Sequence, residues 1–234
     1  MRVFLCFAFG YLLSYALRSI NAVIAPSLLT ELDLSNADLG LLSSAYFIAF
    51  GCMQLPLGIW LDKFGPRRTE SALLLVAACG ALVFATSSTL TGLWIGRALI
   101  GIGVSACLMA ALKGYRLWFP MAQQGQLASW MLVAGTSGAL SATVPVTLLL
   151  PVAGWRGIFT GIALLLLAAS AAIFFLLRGT GDSAHDAAAC CMAAPGRRLP
   201  CDLFHPVFLA PGRTGLRQPR YVRRTPDTVG LAPG

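Results

Sequence analysis

The chain has 234 residues, of which 57% are hydrophobic and 11% charged, with a formal net charge of +8 and a mean hydropathy of +0.77. A soluble domain carries roughly 25% charged residues, so this composition belongs to a membrane protein. The basic residues sit at the ends of apolar runs or in the last part of the chain, and no Cys or His stands at metal-ligand spacing, which argues against nucleic acid, metal or another cofactor as a partner.

A spanning helix needs about 20 mostly apolar residues. Six segments meet that requirement, at about 4–29, 39–61, 70–88, 92–113, 124–150 and 157–178. The expected fold is therefore an all-α membrane protein of six transmembrane helices. The first segment resembles a signal peptide at its start, but its apolar character continues past Arg18 to Leu29, too far for a cleaved leader. Tyr11, Ser14, Tyr15, Arg18, Asn21, Ala22 and Ala25 share one helical face, so a polar stripe runs along an apolar rod and must face protein or water. The guanidinium of Arg18 keeps its charge, and its fork matches a carboxylate or a phosphate. Two readings stand: a central anion site with Tyr15 and Asn21 beside it, or an arginine that snorkels or ties helices through backbone carbonyls. No acidic residue is expected at membrane depth to pair with it.

In the second segment Ser43, Phe47, Phe50 and Gln54 fall on one face. Gln54 is a candidate solute contact or a hydrogen bond between helices. The stretch GIWLDKFGPRR follows, placing Asp62, Lys63, Arg67 and Arg68 in a short turn between apolar runs, with Gly58 and Gly65 around them. Ser35 is expected to cap the second helix. The fourth segment carries RALIGIGVS: Arg97 near its outer end, within reach of snorkelling or of a coupling role, then Gly101 and Gly103, which permit close helix approach. In the fifth, Trp130, Ser137, Ser141 and Pro145 share a face with Gly135 and Gly138 nearby, read as packing, and Pro145 predicts tilt or a kink. Both His, His185 and His205, lie in the tail, so no His-based catalytic set fits the apolar part and no enzyme is expected.

With the N-terminus in the cytoplasm, Arg2, Lys63, Arg67, Arg68, Lys113, Arg116 and Arg178 fall inside and only Arg156 outside, as the positive-inside rule requires. The expected location is the bacterial inner (plasma) membrane, multi-pass, with both the N-terminus and the tail cytoplasmic. Residues 179–234 hold seven of the thirteen Pro, seven Arg and no Lys. No spanning segment or periodicity occurs there, so a disordered tail is expected.

The motifs resemble one family. GIWLDKFGPRR is similar to the loop signature of the major facilitator superfamily, G-x-x-x-D-x-x-G-x-R/K-R/K, and lies between the second and third helices as in that family. RALIGIGVS is similar to its fourth-helix motif, R-x-x-x-G-x-G-x-A/S, with Ile100 where Gln is frequent, and GWR at 154–156 is a further common feature. The resemblance covers residues 1–178. It implies a 3+3 inverted repeat, secondary transport of a small solute by alternating access, and a latch in which Gly58 allows close packing against the opposite half. In that latch Asp62 holds a loop Arg and faces a helix N-terminus, while Arg67 and Arg68 keep the loop cytoplasmic. YLLSYALRSINAVIAP also resembles first helices of members carrying organic phosphates or other small anions, which favours the anion reading of Arg18, with protons as a possible coupling ion.

The family has two six-helix halves, and this chain supplies one, so a lone chain is expected to transport poorly. It would need the C-terminal half, or a second copy as a homodimer. The tail composition is what a GC-rich gene yields when read out of frame, and a frameshift between Arg178 and about Arg197 is the expectation it raises. A non-transporting remnant, and more remotely a membrane receptor or enzyme, are the alternatives.

Overall fold

The structure is a computed structural model, and it describes residues 2–177. The expected tail, 179–234, and its frameshift lie outside the described residues. Five helices follow in order: α1 (Arg2–Glu31), α2 (Asn36–Thr86), α3 (Leu90–Val104), α4 (Cys107–Trp118) and α5 (Met121–Leu176). Among the described residues there is no strand.

The start of α2 is set locally. Ser35 accepts a hydrogen bond from the Asp38 amide at 3.2 Å, and the Asp38 carboxylate accepts one from the Ser35 amide at 2.9 Å. This reciprocal cap satisfies two amides that a helix start leaves without partners.

At 51 residues, α2 is far longer than one bilayer crossing needs; at about 1.5 Å per residue it would extend for ~77 Å. It doubles back at Gly65, the one residue with non-helical dihedrals inside it (φ 78°, ψ 165°). Such a positive φ strains any residue with a Cβ, which accounts for glycine there. Pro66 then restarts the helix with a fixed φ and no amide to satisfy. The return is visible in the packing: Gly101 of α3 lies against the backbone of Tyr46, and Gly103 against that of Ala77. Residues on opposite sides of Gly65 thus meet α3 within three positions of each other. Across the turn the Thr69 hydroxyl donates to the Trp60 carbonyl at 3.3 Å.

α5 repeats the device at Gly154 (φ 65°, ψ 169°). Gly135 packs on the Tyr11 ring, and Ile173, beyond the turn, approaches Gly10 one residue earlier on α1. The links DKFGPRR and PVAGWR, read from the sequence as connections between helices, are wound into helix except at one glycine each. The fourth apolar segment departs in the other direction. It breaks at Ser105 and Ala106, where the Ser105 hydroxyl donates to the Ile102 carbonyl at 2.7 Å, and it continues to Trp118.

Small residues set the helix spacing. Gly96 meets the Phe84 backbone, Gly80 meets Leu99 and Ile100, and Gly138 meets the Leu12 carbonyl. Side chains at these positions would force the rods apart, and contact area is what holds helices together in lipid. The core between them is formed by Phe7, Leu17, Ile24 and Leu28 of α1 with Phe84, Ile100, Trp155 and Phe159. Pro145 lies within α5, but the departure from helical dihedrals is at Gly154. The stretches Val3–Glu31, Asn36–Thr86, Leu90–Trp118 and Met121–Leu176 are each long and apolar enough to cross a membrane. Exposed Leu55, Ile59, Leu140, Leu148 and Val152 cover their outer faces. The chain is an integral membrane protein.

Candidate functional site

The polar stripe of α1 turns inward. Tyr11 and Ser14 are buried, and Tyr15, Arg18 and Asn21 are partly buried. The Tyr11 hydroxyl donates to that of Tyr15 at 3.2 Å, one helical turn on. Around the Arg18 guanidinium stand four rings: Tyr15 at 5.2 Å and Phe50 at 5.3 Å, then Phe47 at 5.7 Å and Tyr46 at 5.8 Å, measured to the centroids. Tyr15 comes from α1, and the other three come from the first half of α2, where residues spaced by three and four share a face. The ring faces attract a cation and hold the guanidinium in place. The buried Nε of Arg18 has no hydrogen-bond partner, and no ion pair to Arg18 occurs among the described residues.

Arg97 of α3 is arranged otherwise. It is buried, at 1% exposure, so the snorkelling alternative is corrected: the side chain turns into the bundle, because α1 supplies oxygen acceptors there. One terminal nitrogen donates to Asn21 Oδ1 at 2.5 Å and the other to the Leu17 carbonyl at 3.5 Å, while Phe84 and Phe159 lie at 4.6 and 5.3 Å. Asn21 completes the bridge by donating from Nδ2 to Ser43 at 2.8 Å. The carboxamide of Asn21 therefore ties α1 to α2 and α3. Gln54 stands one turn beyond Phe50, in a separate cleft of about 500 Å³ with Gly58, Leu61, Asp62, Met109, Lys113 and Arg116 among its lining residues. The four candidate solute contacts thus divide: Tyr15 and Arg18 stand together, Asn21 is engaged with Arg97, and Gln54 faces the cleft at the loop end.

At that end Asp62 forms an ion pair with Lys113 of α4 at 2.5 Å, and the same ammonium donates to the Leu61 carbonyl at 2.7 Å. Lys113 was counted in the sequence only toward orientation; its position opposite Asp62 depends on the α2–α4 packing. Gly58 is exposed and a Cβ there would meet nothing within 4 Å. Arg67, expected to act by its charge in the loop, is buried at 6% exposure. Its Nε donates to the Phe174 carbonyl at 3.1 Å near the end of α5, where helix carbonyls lack internal partners, and its guanidinium lies over the Phe174 ring at 5.0 Å. Arg68 is exposed.

At the other end GWR acquires contacts. Trp155 Nε1 donates to Glu31 Oε2 at 2.6 Å, and Arg156 approaches Glu31 Oε1 at 3.6 Å. The residues after Gly154 thus fasten the end of α1.

Glu70 was missed. The sequence placed no acidic residue at membrane depth to pair with Arg18; Glu70 nevertheless enters the packed interior, 0% exposed, and both its carboxyl oxygens lack hydrogen-bond partners among the described residues. In the sequence it stood at the first position of the apolar segment 70–88, just after the charged loop residues Asp62, Lys63, Arg67 and Arg68, and was not singled out.

Known proteins agree with this architecture. The chain is 30% identical over 152 residues to a probable sulfoacetate transporter, SauU, of Cupriavidus necator, and to the same extent to a hexuronate transporter of Escherichia coli. In both cases the match covers 64% of this chain and 35% of the relative. A probable L-galactonate transporter of Escherichia coli is 27% identical over 164 residues, covering 67% of this chain and 35% of the relative. This chain spans about a third of the length of these relatives. Among solved structures, the proton:xylose symporter XylE bound to 6-bromo-6-deoxy-D-glucose superposes with a TM-score of 0.65 at 18% identity, over 79% of this chain and 48% of that one. An inward-open XylE from Escherichia coli gives 0.63 at 18% identity, over 88% and 56%. At that identity the likeness concerns the fold alone. The model of the Major Facilitator Superfamily matches residues 7–209, and the chain belongs to that superfamily.

Proposed function

We propose that this chain is the N-terminal bundle of a secondary transporter that moves a small anionic solute by alternating access, with Arg18 as the anion contact. The observation that carries this reading is the guanidinium of Arg18, held among four rings while its buried Nε has no partner. A fixed positive charge on the inward stripe of a membrane helix, with no acidic partner, matches a carboxylate, sulfonate or phosphate. The names of the relatives point the same way: sulfoacetate, hexuronate and L-galactonate are all anions. Tyr15 flanks the solute beside Arg18, Gln54 offers a hydrogen bond from the loop-side cleft, and Asn21 holds the helices on which they stand.

In this reading the chain crosses the bilayer six times. The turns at Gly65 and Gly154 each divide a long helix into two rods, and α3 with α4 forms one. Both glycines are followed two positions later by an arginine, Arg67 and Arg156, which supports a 3+3 inverted repeat. The loop of Gly58, Asp62, Gly65, Arg67 and Arg68 is cytoplasmic and works as a latch, with the N-terminus and residues 179–234 on the same side of the bacterial inner membrane. Its opposite wall is a second six-helix bundle, either a C-terminal half or another copy of this chain. That bundle would pack on the open face at Gly58, Leu55 and Ile59, and rocking of the two bundles would expose Arg18 to each side in turn.

The test uses the purified chain. Glucuronate or sulfoacetate should raise its melting temperature, and Arg18→Ala or Arg18→Lys should remove the protection while leaving the unliganded melt close to wild type. Protection that persists in both variants would remove Arg18 from the site. Uptake by the chain in liposomes, alone and with a second bundle supplied, reads transport itself.

A further inference from the structure

Glu70 belongs neither to the Arg18 stripe nor to the loop pair. It follows the Gly65 turn by five residues, where the second half of α2 enters the bundle, and it is fully buried. Among the described residues, the elements around it contribute atoms that offer no ionic partner. From α1, Gly10 lies so close that a Cβ there would come within 2.9 Å of Glu70 Oε1, and Leu74 and Ile173 border the same spot. Cys6 of α1 and Cys107 and Tyr115 of α4 are the titratable groups near enough to feel its charge. The Tyr115 hydroxyl is turned to the sulfur of Met131 at 3.4 Å. Arg67, three residues earlier, donates to the Phe174 carbonyl. Both Glu70 oxygens lack a hydrogen-bond partner. An ionised carboxylate in such surroundings costs far more than the neutral acid.

We propose that Glu70 is a proton-binding site: its carboxyl carries a proton in the packing described here, and releases it to water when α1 at Gly10 separates from the second half of α2. On release the acid O–H bond breaks, the electron pair stays on the carboxylate, and the proton passes to water entering from the loop end. When the helices close again the carboxylate takes back one proton. A Cβ at Gly10 would press on Oε1 at 2.9 Å and push the carboxyl aside. The use of this proton to drive solute movement rests on the carrier reading above, whereas the site itself does not.

The experiment is infrared difference spectroscopy of the purified chain in lipid nanodiscs, between mildly acidic and alkaline buffer and with no solute. Wild type should show the carbonyl band of a buried carboxylic acid, lost on alkalinisation, and Glu70→Gln should lack that band while melting at the same temperature. Glu70→Asp should move the band, which keeps the test open if the Gln variant folds poorly. Asp62→Asn and Cys6→Ser should leave it unchanged. Absence of the band from wild type, or its persistence in Glu70→Gln, overturns the proposal. Glucuronate added afterwards separates the two ideas: a band assigned to Glu70 with no glucuronate binding upholds the proton site and removes the carrier reading.

Discussion

Arg18 and Arg97 present two regions of one bundle interior, built from similar materials and put to different use. Each guanidinium lies among aromatic rings on a helix lined with small or apolar residues. Around Arg97 the acceptors are supplied by the protein itself, through Asn21 and the Leu17 carbonyl. The Nε of both arginines lacks a partner; what differs is that the terminal nitrogens of Arg97 meet the Asn21 and Leu17 oxygens, whereas around Arg18 the neighbours are rings. A buried charge whose hydrogen bonds are made fixes helix positions, and one whose hydrogen bonds are left open is available to a ligand. Hydropathy and charge treat the two alike; what separates them is which face of the neighbouring helix each one meets.

The largest expected difference comes from Arg97→Ala. It leaves the Asn21 carbonyl and the Leu17 carbonyl without their donor and opens a cavity, and the loss should be about 3 kcal/mol, read as a lowered melting temperature in detergent. Asn21→Ala should cost less, about 2 kcal/mol. Because it acts on the same network, the Arg97/Asn21 double variant should lose markedly less than the sum of the singles. Additive losses in that cycle would show that the bridge does not couple the helices. Arg18→Ala should change the unliganded melt by only about 1 kcal/mol while abolishing anion protection, which is the sharpest form of the contrast. At the loop end, Lys113→Ala removes one partner of a largely exposed Asp62 and should alter stability by about 0.5 kcal/mol at most. Its effect should be seen in accessibility of the Gln54–Asp62 cleft to thiol reagents at an introduced Gly58→Cys, and a cleft equally accessible in both forms would show that the pair does not hold it.

The two glycine turns extend the lesson. Gly65 and Gly154 have nearly the same dihedrals, yet the residues after them fasten different helices. Arg67 enters the bundle and takes the Phe174 carbonyl, whereas Trp155 and Arg156 reach Glu31 at the end of α1. Gly65→Ala should therefore disturb the fastening of α5 to the second half of α2, because a Cβ is strained at a φ of 78°.

Composition and the length of the apolar runs determined by themselves that this chain is helical and membrane-embedded, since a backbone in lipid must satisfy its hydrogen bonds within the segment. Periodicity placed Tyr15, Arg18 and Asn21 on one stripe, and the spacing of GIWLDKFGPRR and RALIGIGVS pointed to the family. Only the tertiary structure decided that Gly101 and Gly103 face opposite halves of α2, that the terminal nitrogens of Arg97 meet oxygens while Arg18 meets rings, and that Asp62 meets Lys113. It alone decided that Glu70, at the edge of an apolar segment, is buried in the core. Each of those outcomes depends on contacts between residues distant in the chain, which a local pattern of polarity cannot specify: the same residue next to a loop becomes solvated or buried according to which helix packs over it.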